Sequence, residues 1–161
     1  MIQRLQSVYL FIIILILVLL CSIDTIHYIQ LIPDGKTIEY KINLFYFNYF
    51  ENGQLVESKL QWVLILLTSI AIGLSTTAIA MYKNRPKQIK ICWALFGSLF
   101  FLTLTFLVKT MVYIPSFDSQ NLLLPSMFGL TLLFFNFYLA VRSITLIKKD
   151  EELVRSADRI R

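Results

Sequence analysis

The chain is poor in the residues that most enzymes and metal proteins use for chemistry: one histidine, two cysteines and only 16% charged residues in a length of 161. His27 therefore has no imidazole partner for a zinc-type site, which is built from clustered His, Cys and carboxylate ligands. Cys21 and Cys92 fall at opposite ends of two separate apolar runs. A disulfide needs Cα atoms within about 7 Å. These two are on the order of 25 Å apart in depth at 1.5 Å per helical residue, so both are expected to be small packing residues. Quinone-linked thiol chemistry, which needs paired cysteines, drops out on the same ground. Acidic side chains are missing from the longest apolar runs, and no glycine-rich nucleotide loop is present. The intramembrane carboxylates that usually mark ion and proton pathways are thereby excluded. No catalytic, cofactor-binding or metal-ligating constellation is expected.

What is abundant is apolar: 57% of residues are hydrophobic and the mean hydropathy is +0.70, far from the balance of a soluble domain. Runs at Leu5–Ile23, Leu60–Tyr82, Ile91–Ile114 and Leu122–Val141 are each long enough to cross a hydrocarbon core of about 30 Å, which takes about 20 helical residues. The expected fold is an all-α membrane protein, a four-transmembrane-helix bundle forming a single integral domain over residues 1–161. An N-terminal run behind Arg4 also has the charge and core of a signal peptide. Cys21-Ser22-Ile23-Asp24 offers no small-x-small cleavage pair, so the run is read as an uncleaved first span.

Orientation follows from the stretch Lys83 to Lys90, which carries Lys83, Arg85, Lys87 and Lys90 with no acid. Short loops rich in Lys and Arg stay on the cytoplasmic side. With this loop inside, both termini are inside as well, and Arg4, Arg142, Lys148, Lys149, Arg155, Arg159 and Arg161 join it, whereas Lys36, Lys41, Lys59 and Lys109 are left outside. The basic pI of about 9.3 is thus a topology signal rather than a sign of nucleic acid, and a bacterial inner-membrane location is expected.

Between the first two spans the composition turns polar and aromatic. Pro33-Asp34-Gly35 and Asn52-Gly53 are turn signals, because Pro presets φ and Asn-Gly suits a type I′ turn. Ile38, Tyr40, Ile42 and Leu44 alternate with polar residues, the period of a half-buried strand. An extracytoplasmic antiparallel three-stranded meander is predicted over about 27–32, 37–50 and 54–58, within the segment 27–58. The cluster Phe45-Tyr46-Phe47-Asn48-Tyr49-Phe50 reads either as sheet core and interfacial packing or as an exposed contact surface. His27 is expected at a strand end.

Within the spans, Ser69, Gly73 and Thr77 form a small-residue stripe at four-residue spacing, expected to pack against a helix of the same chain, with a homodimer seam as the alternative. Depth counts at 1.5 Å per residue place Ser75, Ser98 and Asn136 in one polar layer, where the Asn136 amide is expected to hydrogen-bond span two or three. Lys109 sits near the outer end of its span and is expected to snorkel to water. After span four, Leu153, Val154, Ala157 and Ile160 share a face, and Glu151/Arg155 and Asp158/Arg161 are favourable helix pairs. A short cytoplasmic C-terminal amphipathic helix is predicted in the tail 142–161.

The two ends, Met1-Ile2-Gln3-Arg4-Leu5-Gln6-Ser7-Val8-Tyr9-Leu10 and Leu153-Val154-Arg155-Ser156-Ala157-Asp158-Arg159-Ile160-Arg161, resemble the family of small bacterial inner-membrane proteins called domain of unknown function 4293. That resemblance implies a four-span bacterial membrane protein and brings no activity with it. The layout of an outer sheet between spans one and two is also similar to the claudin-type four-helix architecture, a likeness of fold alone.

Three functions remain to be weighed. A non-enzymatic accessory or structural subunit of a membrane assembly needs only contact surfaces, and a membrane-protein partner is expected for it. A small-molecule or lipid transporter or channel component is the alternative, and should place ionisable groups in the spans. An intramembrane enzyme needs a nucleophile with a base, which Ser75 and Ser98 lack at their depth. The candidate contact face is cytoplasmic: Arg4, Lys83, Arg85, Lys87, Lys90, Leu153, Arg155, Asp158 and Arg159. It either docks a protein or holds anionic lipid, with each Lys or Arg worth about 1 kcal/mol near such a leaflet.

Overall fold

A computed structural model describes residues 2–31, 36–113, 122–126 and 128–159. The element order is α1 (Ile2–Ser22), β1 (Ile26–Leu31), β2 (Thr37–Ile42), β3 (Tyr46–Glu51), β4 (Gln54–Leu60), α2 (Trp62–Ala80), α3 (Arg85–Tyr113), β5 (Leu122–Ser126) and α4 (Phe128–Arg159). All four helices are long and apolar enough to cross a membrane. Each packs on its two neighbours in the cyclic order α1-α2-α3-α4, with α4 closing back on α1.

Their buried positions repeat at alternating spacings of four and three: Gln6, Leu10, Ile13, Leu17 and Leu20 on α1, and Leu64, Thr68, Ala71, Ser75 and Ala78 on α2. On α3 the seam is Gln88, Cys92, Leu95, Leu99 and Leu102, and on α4 it is Leu133, Asn136, Ala140, Ser143 and Ile147. This 3.5-residue period keeps a seam facing its neighbours along a left-handed bundle. The seams divide the labour: α2 and α4 present mostly small or polar residues, and the Leu and Ile of α1 and α3 fill the space they leave.

Three contacts pin the layers. Gln88 Nε2 donates to the Ala78 carbonyl at 2.9 Å. Arg85 meets Asp150. Thr25, just past α1, lies so close to Gly129 that a Cβ on the glycine would overlap the Thr25 backbone and come within 2.6 Å of its Cγ2.

The sheet caps the other end of the bundle. Its order is β4-β3-β2-β1-β5, antiparallel throughout. Strand alternation sends Ile26, Tyr28, Tyr40, Ile42 and Phe47 into the core, as the expected inward set of Tyr40 and Ile42 requires. Phe47 stacks on Tyr113 of α3, with ring centroids 4.2 Å apart. The opposite face carries His27, Glu39 and Lys41, with His27 Nε2 3.6 Å and Lys41 Nζ 3.4 Å from Glu39 Oε2.

Several expectations need correction. The predicted strand 37–50 is two strands, because Asn43 Oδ1 accepts from the backbone N–H of Phe45 (2.8 Å) and Tyr46 (2.6 Å), an Asx turn that reverses the chain. The meander thus has four strands, and the sheet gains a fifth, β5, from the start of the last apolar run. Pro125 within β5 fits there, since an edge strand tolerates a missing donor. Span four accordingly starts at Phe128 rather than Leu122. The tail is no separate helix: α4 continues unbroken for 32 residues, about 48 Å at helical rise. The stretch Lys83–Lys90 is mostly not loop either, because α3 begins at Arg85, with Pro86 in its first turn, where proline is tolerated. The Asn52-Gly53 turn forms as expected, with φ of 49° and 76°. The expected turn at Pro33-Asp34-Gly35 lies outside the described residues.

Candidate functional site around the α2–α3 turn

The α2–α3 turn and the far end of α4 meet at one end of the bundle, and this is where the expected contact face can be compared with geometry. α3 starts with Arg85, Pro86 and Lys87 and has no acid in its first turn. A helix N-terminus carries partial positive charge, so cations there are unfavourable. Asp150 of α4 answers this: its Oδ2 lies 3.0 Å from Arg85 Nε, with side chains only 18% (Arg85) and 13% (Asp150) exposed. The contact is an ion pair whose angle falls outside hydrogen-bond geometry. Beneath it Gln88, fully buried, caps the α2 C-terminus through Ala78.

Of the expected face, Lys83, Lys87 and Lys90 are exposed, and Lys83 lies 5.8 Å over the Tyr82 ring. Leu153 is exposed too. The side chains of Arg4, Arg155, Asp158 and Arg159, and the Glu151/Arg155 and Asp158/Arg161 pairs, lie outside the described residues. Sequence reading put Lys148 and Lys149 on this side but left them, with Asp150, Gln88 and Trp93, out of the contact face. Lys148 Nζ sits 5.8 Å over the Trp93 ring, and together with Val141 and Ile144 they border a groove of about 560 Å³ between α3 and α4. Nothing local marks these residues, since they meet only through the antiparallel α3/α4 register.

The hydrogen bond expected of Asn136 in the polar layer does not form. Asn136 faces the bundle and is fully buried, but neither amide atom has a hydrogen-bond partner among the described residues. Ser75 Oγ is likewise buried without one, and Ser98 satisfies itself on the Leu95 carbonyl at 2.8 Å. The later start of α4 is the cause: at 1.5 Å per residue Asn136 is about 12 Å from Phe128, whereas Ser75 is about 20 Å from Trp62. The stripe Ser69, Gly73 and Thr77 is also corrected. All three face outward, and a Cβ at Gly73 would meet nothing within 4 Å. The α2 residues that pack inside are Ala71, Ser75 and Ala78.

At the sheet end, alternation splits the aromatic cluster. Phe47 is core and Tyr49 approaches Tyr40 (5.3 Å between centroids), while Tyr46 is exposed and Phe50 lies under Lys41. Burial, then the neighbouring Tyr49 and Tyr28 hydroxyls, pushes the Tyr40 phenol above its ordinary pKa. A crevice of about 260 Å³ between this patch and α3 is edged by the Glu57–Lys59 pair, 2.8 Å apart. Lys109 rests 5.7 Å over Tyr113 at the same end. Among the described residues no three His, Cys, Asp or Glu side chains cluster as metal ligands.

A family model described as Domain of unknown function (DUF4293) matches residues 2–160. No curated protein matches the chain. With nearly its whole length covered, the chain belongs to that family.

Proposed function

We propose that this member of the DUF4293 family is a four-span bacterial inner-membrane protein, with both termini and the α2–α3 turn cytoplasmic and the sheet outside, acting as a non-catalytic accessory subunit of a membrane protein assembly. The observation that carries the accessory role is the filled bundle axis: Leu10, Ile13, Leu17, Leu95, Leu99 and Leu102 are 0–1% exposed. A transport path would need a continuous polar passage instead. The alternative of a transport component draws on the unpartnered Gln6 and Gln88 oxygens, Ser75 and Asn136. None of these ionises, and the buried Leu and Ile side chains of α1 and α3 fill the seams beside them.

With its interior occupied, the protein has its surfaces to offer. The outward stripe Ser69, Gly73 and Thr77 lets the backbone of a foreign helix approach closely. The test is mild-detergent purification of tagged protein beside a Gly73→Leu variant, which the open space at Gly73 lets fold. A stoichiometric partner present with the parent and lost with the variant is expected. Recovery of the parent as a lone chain, or an identical partner set with Gly73→Leu, refutes the role or the contact respectively. Orientation is tested separately, in a chain with Cys21 and Cys92 replaced by Ala. An impermeant thiol reagent on intact spheroplasts should label Gln54→Cys and not Lys87→Cys.

A further inference from the structure

We infer that the groove between α3 and α4 at the inner end of the bundle is a binding site for one anionic phospholipid. This rests on the reading that the helices cross a membrane, and adds to it a defined site and ligand class. The groove is built for a molecule with two unlike ends. Its lower wall is apolar, formed by Val141 and Ile144, and its upper rim carries Lys148, Lys149 and Glu152. Trp93 stands between the two, 52% exposed, the position an amphipathic ring takes at a membrane interface.

Charge complementarity selects the ligand. Among the described residues nothing pairs with Lys149 or Glu152 within ion-pair distance, and Lys148 lies over the Trp93 ring. Of the neighbouring acids on α4, Asp150 is already committed to Arg85 and Glu151 has a partner of its own. The rim therefore holds a net charge of one cation, which a single phosphodiester neutralises. Its phosphate oxygens accept from the two ammonium groups, and the Glu152 carboxylate accepts from a headgroup hydroxyl. An acyl chain then lies along Val141 and Ile144, continuous with the surrounding hydrocarbon. Inorganic phosphate meets the rim but has nothing to place on the apolar wall.

The chain has two tryptophans, Trp62 and Trp93, on different helices, and Trp62→Phe leaves Trp93 as the sole reporter. The variant is reconstituted into vesicles and first checked by flotation after an alkaline wash. Failure to float overturns the membrane reading and the site with it. Floating protein is then titrated with bromine-labelled phosphatidylglycerol or bromine-labelled phosphatidylcholine in a phosphatidylcholine background. One net cation near the headgroup, at about 1 kcal/mol, corresponds to a roughly fivefold lower half-quenching mole fraction for the anionic lipid. Lys148→Gln with Lys149→Gln should erase that preference while leaving quenching by the neutral lipid in place, and Lys148→Arg with Lys149→Arg should keep it. Equal quenching by both lipids, no quenching by either, or a preference that survives the Gln pair overturns the site. So does a response of Trp93 to inorganic phosphate in lipid-free detergent that matches the lipid response, which makes it an anion site only.

Discussion

If Asp150 is what allows two cations, Arg85 and Lys87, to sit at the start of α3, breaking the Arg85–Asp150 pair should weaken the bundle unequally from its two sides. At 3.0 Å and an effective dielectric near 20, the bare attraction is about 5–6 kcal/mol. Desolvation of two largely buried groups offsets much of it, leaving a coupling of about 1–3 kcal/mol in a double-mutant cycle. Asp150→Asn strands the Arg85 guanidinium against the positive end of α3 and beside Lys87, and should cost about 2–4 kcal/mol. Arg85→Gln leaves the carboxylate facing that same helix end, a partner it still favours, so about 1–2 kcal/mol is expected. Unfolding of both singles and the double in mixed micelles, followed by helical circular dichroism, measures all three values. Because the pair is shielded, the coupling should fall little between low and high salt. A coupling below about 0.3 kcal/mol, or a larger loss for Arg85→Gln than for Asp150→Asn, refutes the view that Asp150 organises this end.

Gly129→Ala forces a methyl into the Thr25 backbone and should destabilise by about 1–3 kcal/mol or more, measured in the same micelles. Because the clash includes the Cα, Thr25→Ala should restore only part of the loss, and full restoration contradicts it. Asn136→Leu replaces an unpartnered buried amide with an apolar group of similar size and should raise stability by about 1–2 kcal/mol; a loss of that size means the amide is satisfied in the membrane. For Tyr40 the folded state holds the phenolic proton more tightly than the ordinary value of 10.0 allows. Its contribution is therefore complete below pH 10.0 and declines as pH rises past it. Melting temperatures between about pH 9 and 11 should fall less steeply for Tyr40→Phe than for the parent, and parallel slopes contradict the assignment.

Local signals were legible without any fold. Four apolar runs give four helices because length and hydropathy alone decide whether a helix can cross a hydrocarbon core. Asn52-Gly53 gives its turn because positive φ is a property of those two residues. The alternation around Tyr40 and Ile42 likewise names the inward face of a strand before its partners are known. What depends on two distant segments meeting was not legible. Leu122–Ser126 is as apolar as a span, and only pairing with β1 makes it a strand, although Pro125 was a signal against helix. That six-residue delay shifts Asn136 away from the level counted for it beside Ser75, and its amide finds no partner among the described residues. The outward turn of Ser69, Gly73 and Thr77 is decided by which α2 seam meets α1 and α3, since several faces of that helix are apolar enough to be buried. The Arg85–Asp150 pair and the Trp93–Lys148 groove exist only through the antiparallel register of α3 and α4. That register is set by interdigitating Leu, Ala and Ser side chains across the bundle, a property of volumes in contact that no single stretch of chain encodes.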